Sequence, residues 1–193
     1  MKLVYSHPAL VWIHDFLDKD TYKNIHNSII QERKKIHLHS VKGVWPNEIF
    51  ANQLKPPLRT EIDKQDTPAT EGWVPFRKLK ALIKHNPYFA LDKCKYMSTL
   101  IHYMEKGSGI DWHDDGDHKY GAIYYVNRRW NQQWGGEFMF EEGRMRFDET
   151  GCSSGFLPLV GNSLVIVKFP VSHKVNTVLS PLIPRITVQI FMR

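Results

Sequence analysis

The chain has 193 residues, 42% hydrophobic and 24% charged, the make-up of an ordinary soluble protein long enough to build a core without disulfide or metal staples. No run approaches the ~18 apolar residues of a membrane span, and the N-terminus lacks the roughly 7–15-residue apolar centre of a signal peptide, so a cytoplasmic protein is expected. The net charge of +6 and pI near 9.2 would suit nucleic acid, but the basic residues are scattered and the longest cluster is Arg33-Lys34-Lys35; a solvated basic surface is the expectation.

In chain order, residues 9–16 read as an apolar strand leading to Asp18, an N-cap for a helix running to about Gln31. Tyr22, Ile25, Ile29 and Ile30 recur at helical spacing and form its inward face. A second helix is predicted after Pro75, with Phe76, Leu79, Leu82 and Ile83 as its stripe and Asn86-Pro87 as its end. Between the two, residues 36–73 show no clean period and are read as strands and loops bordering a substrate entrance. His37 and His39 in that stretch are expected on a solvated strand face rather than on a metal.

From about Lys95 the pattern changes to short β segments: 96–104, 121–126, 137–140, 144–147, 163–167, 171–178 and 185–192, divided by Gly and Pro turns. So many short strands with no intervening helices predict a mainly β protein, an antiparallel sandwich or jelly roll with supporting N-terminal helices. One domain over 1–193 is expected, with 1–94 as the support region and 95–193 as the metal-binding core. Cys94 and Cys152 lack the spacing of a zinc knuckle or a redox pair and are expected as reduced thiols.

The chemistry concentrates in the second half. His113 and Asp115 form a His-x-Asp pair just after the Gly107-x-Gly109 turn, where alternate residues of an extended chain share a face. With His173 they make two imidazoles and a carboxylate, a donor set suited to Fe(II) with open positions. A zinc hydrolase can use similar ligands, but the H-E-x-x-H signature is absent. Trp112 or Asp117 is a candidate for orienting these ligands. Arg185 opens the last strand, where a buried charge needs an anionic partner such as a dicarboxylate, and Thr187 would share its face.

These residues resemble the prolyl-hydroxylase branch of the Fe(II)/2-oxoglutarate oxygenases. The resemblance rests on His113-Asp114-Asp115, on Ile123-Tyr-Tyr-Val-Asn-Arg-Arg-Trp130 followed by Trp134-Gly-Gly-Glu-Phe138, on Pro158 to Ile166, on His173-Lys-Val-Asn-Thr-Val178 and on Arg185-Ile-Thr-Val. The opening Val11 to Asp20 is similar to the strand and first helix of that domain. The resemblance implies a double-stranded β-helix, with Fe(II) held by His113, Asp115 and His173. It further implies 2-oxoglutarate as co-substrate beside Arg185, Tyr103, Tyr125 and Thr187, with O2 and, as a reductant, ascorbate. Tyr124 beside Tyr125 leaves that register open by one residue.

The implied reaction is hydroxylation of an aliphatic C–H bond, with Asp115 favouring it over halogenation. A peptidyl proline is the first expected substrate, and a free amino acid or other small metabolite the alternative. Trp45, Trp73, Trp130 and Trp134 are candidate pocket residues. The interval from His173 to Arg185 is a little longer than is common in the family, which a longer turn around Pro181–Pro184 would absorb. A nucleic-acid demethylase would need two arginines six residues apart on the last strand, whereas Arg185 and Arg193 are eight apart. A non-catalytic cupin-like metal protein would need neither Arg185 nor open coordination positions. No membrane partner is expected, and the sequence leaves the oligomeric state open.

Overall fold

A computed structural model of the chain describes residues 1–32, 39–40, 54–61, 74–142 and 153–193. The strands are β1 (Lys2–His7), β2 (Leu10–His14), β3 (His39–Ser40), β4 (Leu58–Glu61), β5 (Met97–Met104) and β6 (Ile110–His113), then β7 (Tyr120–Tyr125), β8 (Phe138–Glu142), β9 (Ser153–Leu157), β10 (Leu164–Lys168), β11 (Ser172–Val175) and β12 (Arg185–Met192). Two helices, α1 (Lys19–Glu32) and α2 (Val74–Lys84), precede the β-rich half. The strands form an eight-stranded sheet in the order β1-β2-β10-β7-β12-β5-β4-β3 and a four-stranded sheet in the order β6-β11-β8-β9. All the pairings between these strands are antiparallel. This is the double-stranded β-helix, a jelly roll with helices on one side.

The helices cover the outer face of the larger sheet. Ile25 and Ile29 of α1 and Phe76, Leu79 and Ile83 of α2 are buried against Ile101, Tyr124 and Val188. Asp18 caps α1 by accepting from the Thr21 amide at 2.8 Å, and Lys78 of α2 reaches the same carboxylate at 2.7 Å. Lys78, then the Thr21 backbone, hold the Asp18 carboxyl well below the ordinary carboxylate range. Asn86 ends α2 by giving its amide to the Ile83 carbonyl and accepting from Tyr88 and Phe89. The inner face of the sheet packs on the smaller sheet through Tyr125, Phe138, Phe140 and Val165.

The predicted elements around 9–16, 96–104, 121–126, 137–140, 163–167 and 185–192 all form strands. β1 and β9 were not expected. β1 is an edge strand of largely exposed residues, and β9 opens with Ser153-Ser154-Gly155, so neither shows an apolar run. The segment predicted at 144–147 lies outside the described residues, as do most of residues 36–73, including Trp45 and Trp73. Of that stretch, β4 pairs with β5 and Lys55 bridges to Ser108, beside the turn that leads into β6. Among the described residues, no helix is long and apolar enough to cross a membrane.

Candidate metal and co-substrate site

β6 and β11 are antiparallel neighbours with His113 directly opposite His173. The two imidazoles lie 4.3 Å apart between ring centroids. His113 Nδ1 bonds the Asp111 carbonyl at 2.7 Å and His173 Nδ1 bonds the Val171 carbonyl at 2.9 Å. Each ring is therefore oriented by the main chain two residues upstream, leaving Nε2 of both directed at Asp115, 4.0 Å and 3.5 Å from its oxygens. The three residues offer donor atoms within 4.8 Å of one another, so one ion can take all three.

Two expectations about this cluster need correction. Asp115 does not sit on a strand beside His113, because β6 ends at His113. Asp114 instead turns the chain by accepting from the Gly116 amide at 3.1 Å, and Asp115 reaches the histidines from that turn. Nor do Trp112 and Asp117 orient the ligands. Trp112 is exposed under the ammonium of Lys174, and Asp117 pairs with Arg193 at 3.8 Å on the surface.

Burial, and then neighbouring His173, hold the pKa of His113 down at about 4. For Asp115 burial alone would raise the pKa, but the hydrogen bond from His173 and the nearness of His113 and His118 outweigh it and hold it low. At neutral pH the site thus presents a neutral His113 beside a carboxylate, the ligand forms a divalent cation requires.

The co-substrate end is set by parity along β12. Arg185, Thr187, Gln189 and Phe191 share one face; Ile186, Val188 and Ile190 point the other way into the helix-side core. Arg185 and Thr187 are fully buried. Arg185 donates from Nε to the Gly136 carbonyl at 2.9 Å and from Nη1 to the Met104 sulfur at 3.3 Å, and its guanidinium lies 5.2 Å from the Tyr125 ring centroid. Its Nη2, the Tyr125 hydroxyl and the Thr187 hydroxyl are buried without a hydrogen-bond partner of proper geometry. Orphaned polar atoms of this kind are costly. A carboxylate accepts from all three kinds of donor, so the residues fit a dicarboxylate. Burial works against the charge of Arg185, and an anion would offset that cost.

Tyr125 lies opposite Thr187 and on the site face, which resolves its register against Tyr124. Tyr103 is on the wrong face for a co-substrate contact. It pairs with Ile186, is buried in the helix-side core, and its hydroxyl donates to the Ile29 carbonyl at 3.4 Å. The site-facing residues of β5 are its neighbours His102, opposite Thr187, and Met104, opposite Arg185. His102 is fully buried; burial, then the charge of Arg185, bring its pKa down to about 3, so it is a neutral imidazole.

The Trp-Gly-Gly segment acts as the shelf for Arg185. Gly135 (φ +67) bridges to Val178, accepts the Trp130 indole N–H at 2.9 Å, and would place any Cβ into the Thr177 carbonyl. Trp130 and Trp134 stack edge-on behind this shelf and do not line the metal cleft. Asn127 splints the start of β12, accepting from the Ile186 amide at 2.7 Å and donating to the Pro184 carbonyl at 2.8 Å. The longer interval before Arg185 is absorbed between β11 and β12, where Val178 is tied to the Gly107–Ser108 turn.

In front of the triad opens a narrow cleft, lined by the three candidate metal donors, Phe138, Phe169, Gln189, Phe191 and aliphatic side chains. Gln189, Phe169 and His102 were not singled out by the sequence; the signal that could have found Gln189 is its parity with Thr187, two residues before it on the same strand.

Residues 98–193 match the family model of the 2OG-Fe(II) oxygenase superfamily. The fold is shared with a prolyl 4-hydroxylase of Pseudomonas putida (15% identity, TM-score 0.68, covering 96% of this chain and 92% of that one). It is shared too with a prolyl hydroxylase of Trichoplax adhaerens, solved with a hypoxia-inducible-factor peptide fragment (13%, 0.73, 96% and 83%). The α-ketoglutarate-dependent epimerase SnoN of nogalamycin biosynthesis is similar as well (12%, 0.66, 96% and 77%). No curated protein matches the chain in sequence. Through the matched residues the chain belongs to the 2OG-Fe(II) oxygenase superfamily. It is a dioxygenase that uses Fe(II), 2-oxoglutarate and O2.

Proposed function

We propose that the chain works as one dioxygenase domain, 1–193, that hydroxylates an aliphatic C–H bond, with a peptidyl proline as its first substrate. The observation that carries this reading is the pairing of two half-finished sites on one barrel: three converging metal donors, and three orphaned polar atoms on Arg185, Tyr125 and Thr187. His113, Asp115 and His173 would hold Fe(II), and Arg185, Tyr125 and Thr187 would hold the far carboxylate of 2-oxoglutarate. When bound, these groups supply the oxygen-activating chemistry, with one oxygen atom ending in succinate and the other in the substrate hydroxyl. The aliphatic and aromatic walls keep water from the reacting carbon, and the prolyl hydroxylase likenesses support a pyrrolidine ring as its carrier. The likeness to SnoN favours a second reading, hydroxylation of a small metabolite or free amino acid. The reading includes residence in the cytoplasm, where Cys94 stays a buried thiol outside any disulfide.

The test is anaerobic titration of the protein with Fe(II) and 2-oxoglutarate, watching for the visible charge-transfer absorption of a chelated 2-oxo acid. The band should form, and should be lost in His113→Ala. Proline-containing peptides should then gain one oxygen atom in an O2-dependent reaction. Absence of the band in folded, iron-loaded protein would overturn the oxygenase site. A band without peptide turnover, but with turnover of a small metabolite, would favour the second reading.

A further inference from the structure

Four residues of β12 look into the barrel, and the proposed function uses two. Alternate residues of an extended strand stand roughly 7 Å apart, so Gln189 lies one step outward from Thr187 and two from Arg185. A five-carbon diacid reaching from Arg185 toward the metal donors would fill the Thr187 layer. Gln189 and Phe191 belong to the next layers out, where they line the cleft in front of the triad.

Gln189 is out of place there by composition. Its neighbours across the sheet are Leu100 and Ile123, and the cleft is otherwise closed by Phe138, Phe169, Val167 and Val175. Phe169 is a seated wall: it rests on Gly121, where a Cβ would come within 2.8 Å of its ring, and it lies nearly parallel to the His173 ring at 5.7 Å. Gln189 is 6% exposed, and the hydrogen bonds of the described residues include none to its amide. Its carboxamide faces the cleft with both a donor and an acceptor to offer to what binds there.

Charge narrows the choice. Among the described residues lining the cleft there is no Lys or Arg, and the ionisable ones are the three metal donors. A free amino acid would bring an ammonium and a carboxylate beside its reacting carbon with no counter-charge among the described lining residues, which is costly against apolar walls. A residue within a chain brings neutral amides, which give and take one hydrogen bond each.

We infer that Gln189 is a specificity-determining residue that hydrogen-bonds a backbone amide flanking the reacting carbon, selecting chain-embedded residues over free amino acids. This rests on the oxygenase reading of the same site.

The test uses the anaerobic Fe(II)–2-oxoglutarate complex. Two panels of probes, the amino acids as N-acetyl, C-methylamide derivatives and the same amino acids uncapped, are titrated while the charge-transfer band is followed. At least one capped residue should perturb the band with about tenfold or greater preference over its uncapped form. Gln189→Leu, nearly equal in size, should weaken that capped probe by about tenfold and remove most of the preference. The variant's own band reports that it is folded and loaded; if it is not, Gln189→Met takes its place. Uncapped residues binding as well as capped ones, or a preference that survives the substitution, would overturn the inference, as would a band that no probe perturbs. In each of those cases the band itself is present and the oxygenase reading stands, whereas a wild-type protein that forms no band would fail that reading first.

Discussion

Gly136→Ala probes the shelf that holds Arg185, the residue proposed to take the co-substrate carboxylate. Gly136 has φ +77, and a Cβ there would stand 2.9 Å from Cδ of Arg185. The left-handed backbone costs an L-residue roughly 1–2 kcal/mol. Relieving the overlap by moving a side chain in a packed interior adds roughly 1–3 kcal/mol. The sum is about 3 kcal/mol, and at about 2–4 °C per kcal/mol for a chain of this size the melting temperature should fall by about 10 °C. The two parts separate in a double-mutant cycle, because Arg185→Ala has no Cδ to strike. In that background Gly136→Ala should cost only the backbone share. Thermal melts of the four proteins give the cycle, and titration of 2-oxoglutarate into iron-loaded Gly136→Ala should show affinity reduced about tenfold, since the Nε bond to the Gly136 carbonyl is lost with the shift. Equal losses in both backgrounds, with unchanged co-substrate affinity, would refute the placement of Arg185 on this shelf.

Three further outcomes are expected. Tyr125→Phe removes a buried hydroxyl that has no partner, so the protein without co-substrate should melt at the same temperature or higher, while calorimetry should show 2-oxoglutarate affinity down by roughly tenfold or more. The pKa of His102 is depressed from 6.5 to about 3, so the unfolded chain takes the proton first as pH falls, and stability is lost from about pH 6.5 downward. Its share at pH 5 is about 2 kcal/mol, and urea unfolding of His102→Leu at pH 7 and pH 5 should show a smaller acid loss than wild type; an equal loss would exclude His102 as a source. Asn162, buried at φ +59, holds the Leu17 amide and carbonyl and the Tyr124 hydroxyl through one side chain. Asn162→Ala should cost roughly 2–4 kcal/mol in denaturant unfolding, and a loss under 1 kcal/mol would show these bonds to be replaceable.

The metal donors, the last strand and the capped first helix were legible because each has a local signature: a His-x-Asp pair, a strand rich in β-branched residues, an Asp four residues ahead of a helical stripe that starts at Tyr22. What was not legible was parity. β5 and β7 are covered by helices on one face and by the second sheet on the other, so their residues are apolar or aromatic on both sides. Nothing in Ile101-His-Tyr-Met104 says that the histidine, not the tyrosine, faces Thr187; only pairing with β12 does. Gln189 is the exception: two residues past Thr187, it shares that face by alternation alone and stands as a polar interruption of a buried strand. The Gly135-Gly136 pair was visible as a motif, yet its role depends on an arginine 49 residues away.

β12 pairs with β5 along all eight residues and with β7 along six. A strand clamped on both edges cannot slide, so what its inner end does is insulated from what its outer end becomes. Exchanging the side chains at 189 and 191 would change the lining of the cleft while leaving Arg185 and Thr187 in register with Met104 and His102. Such a strand separates an invariable half of the reaction from a replaceable one within a single element of eight residues.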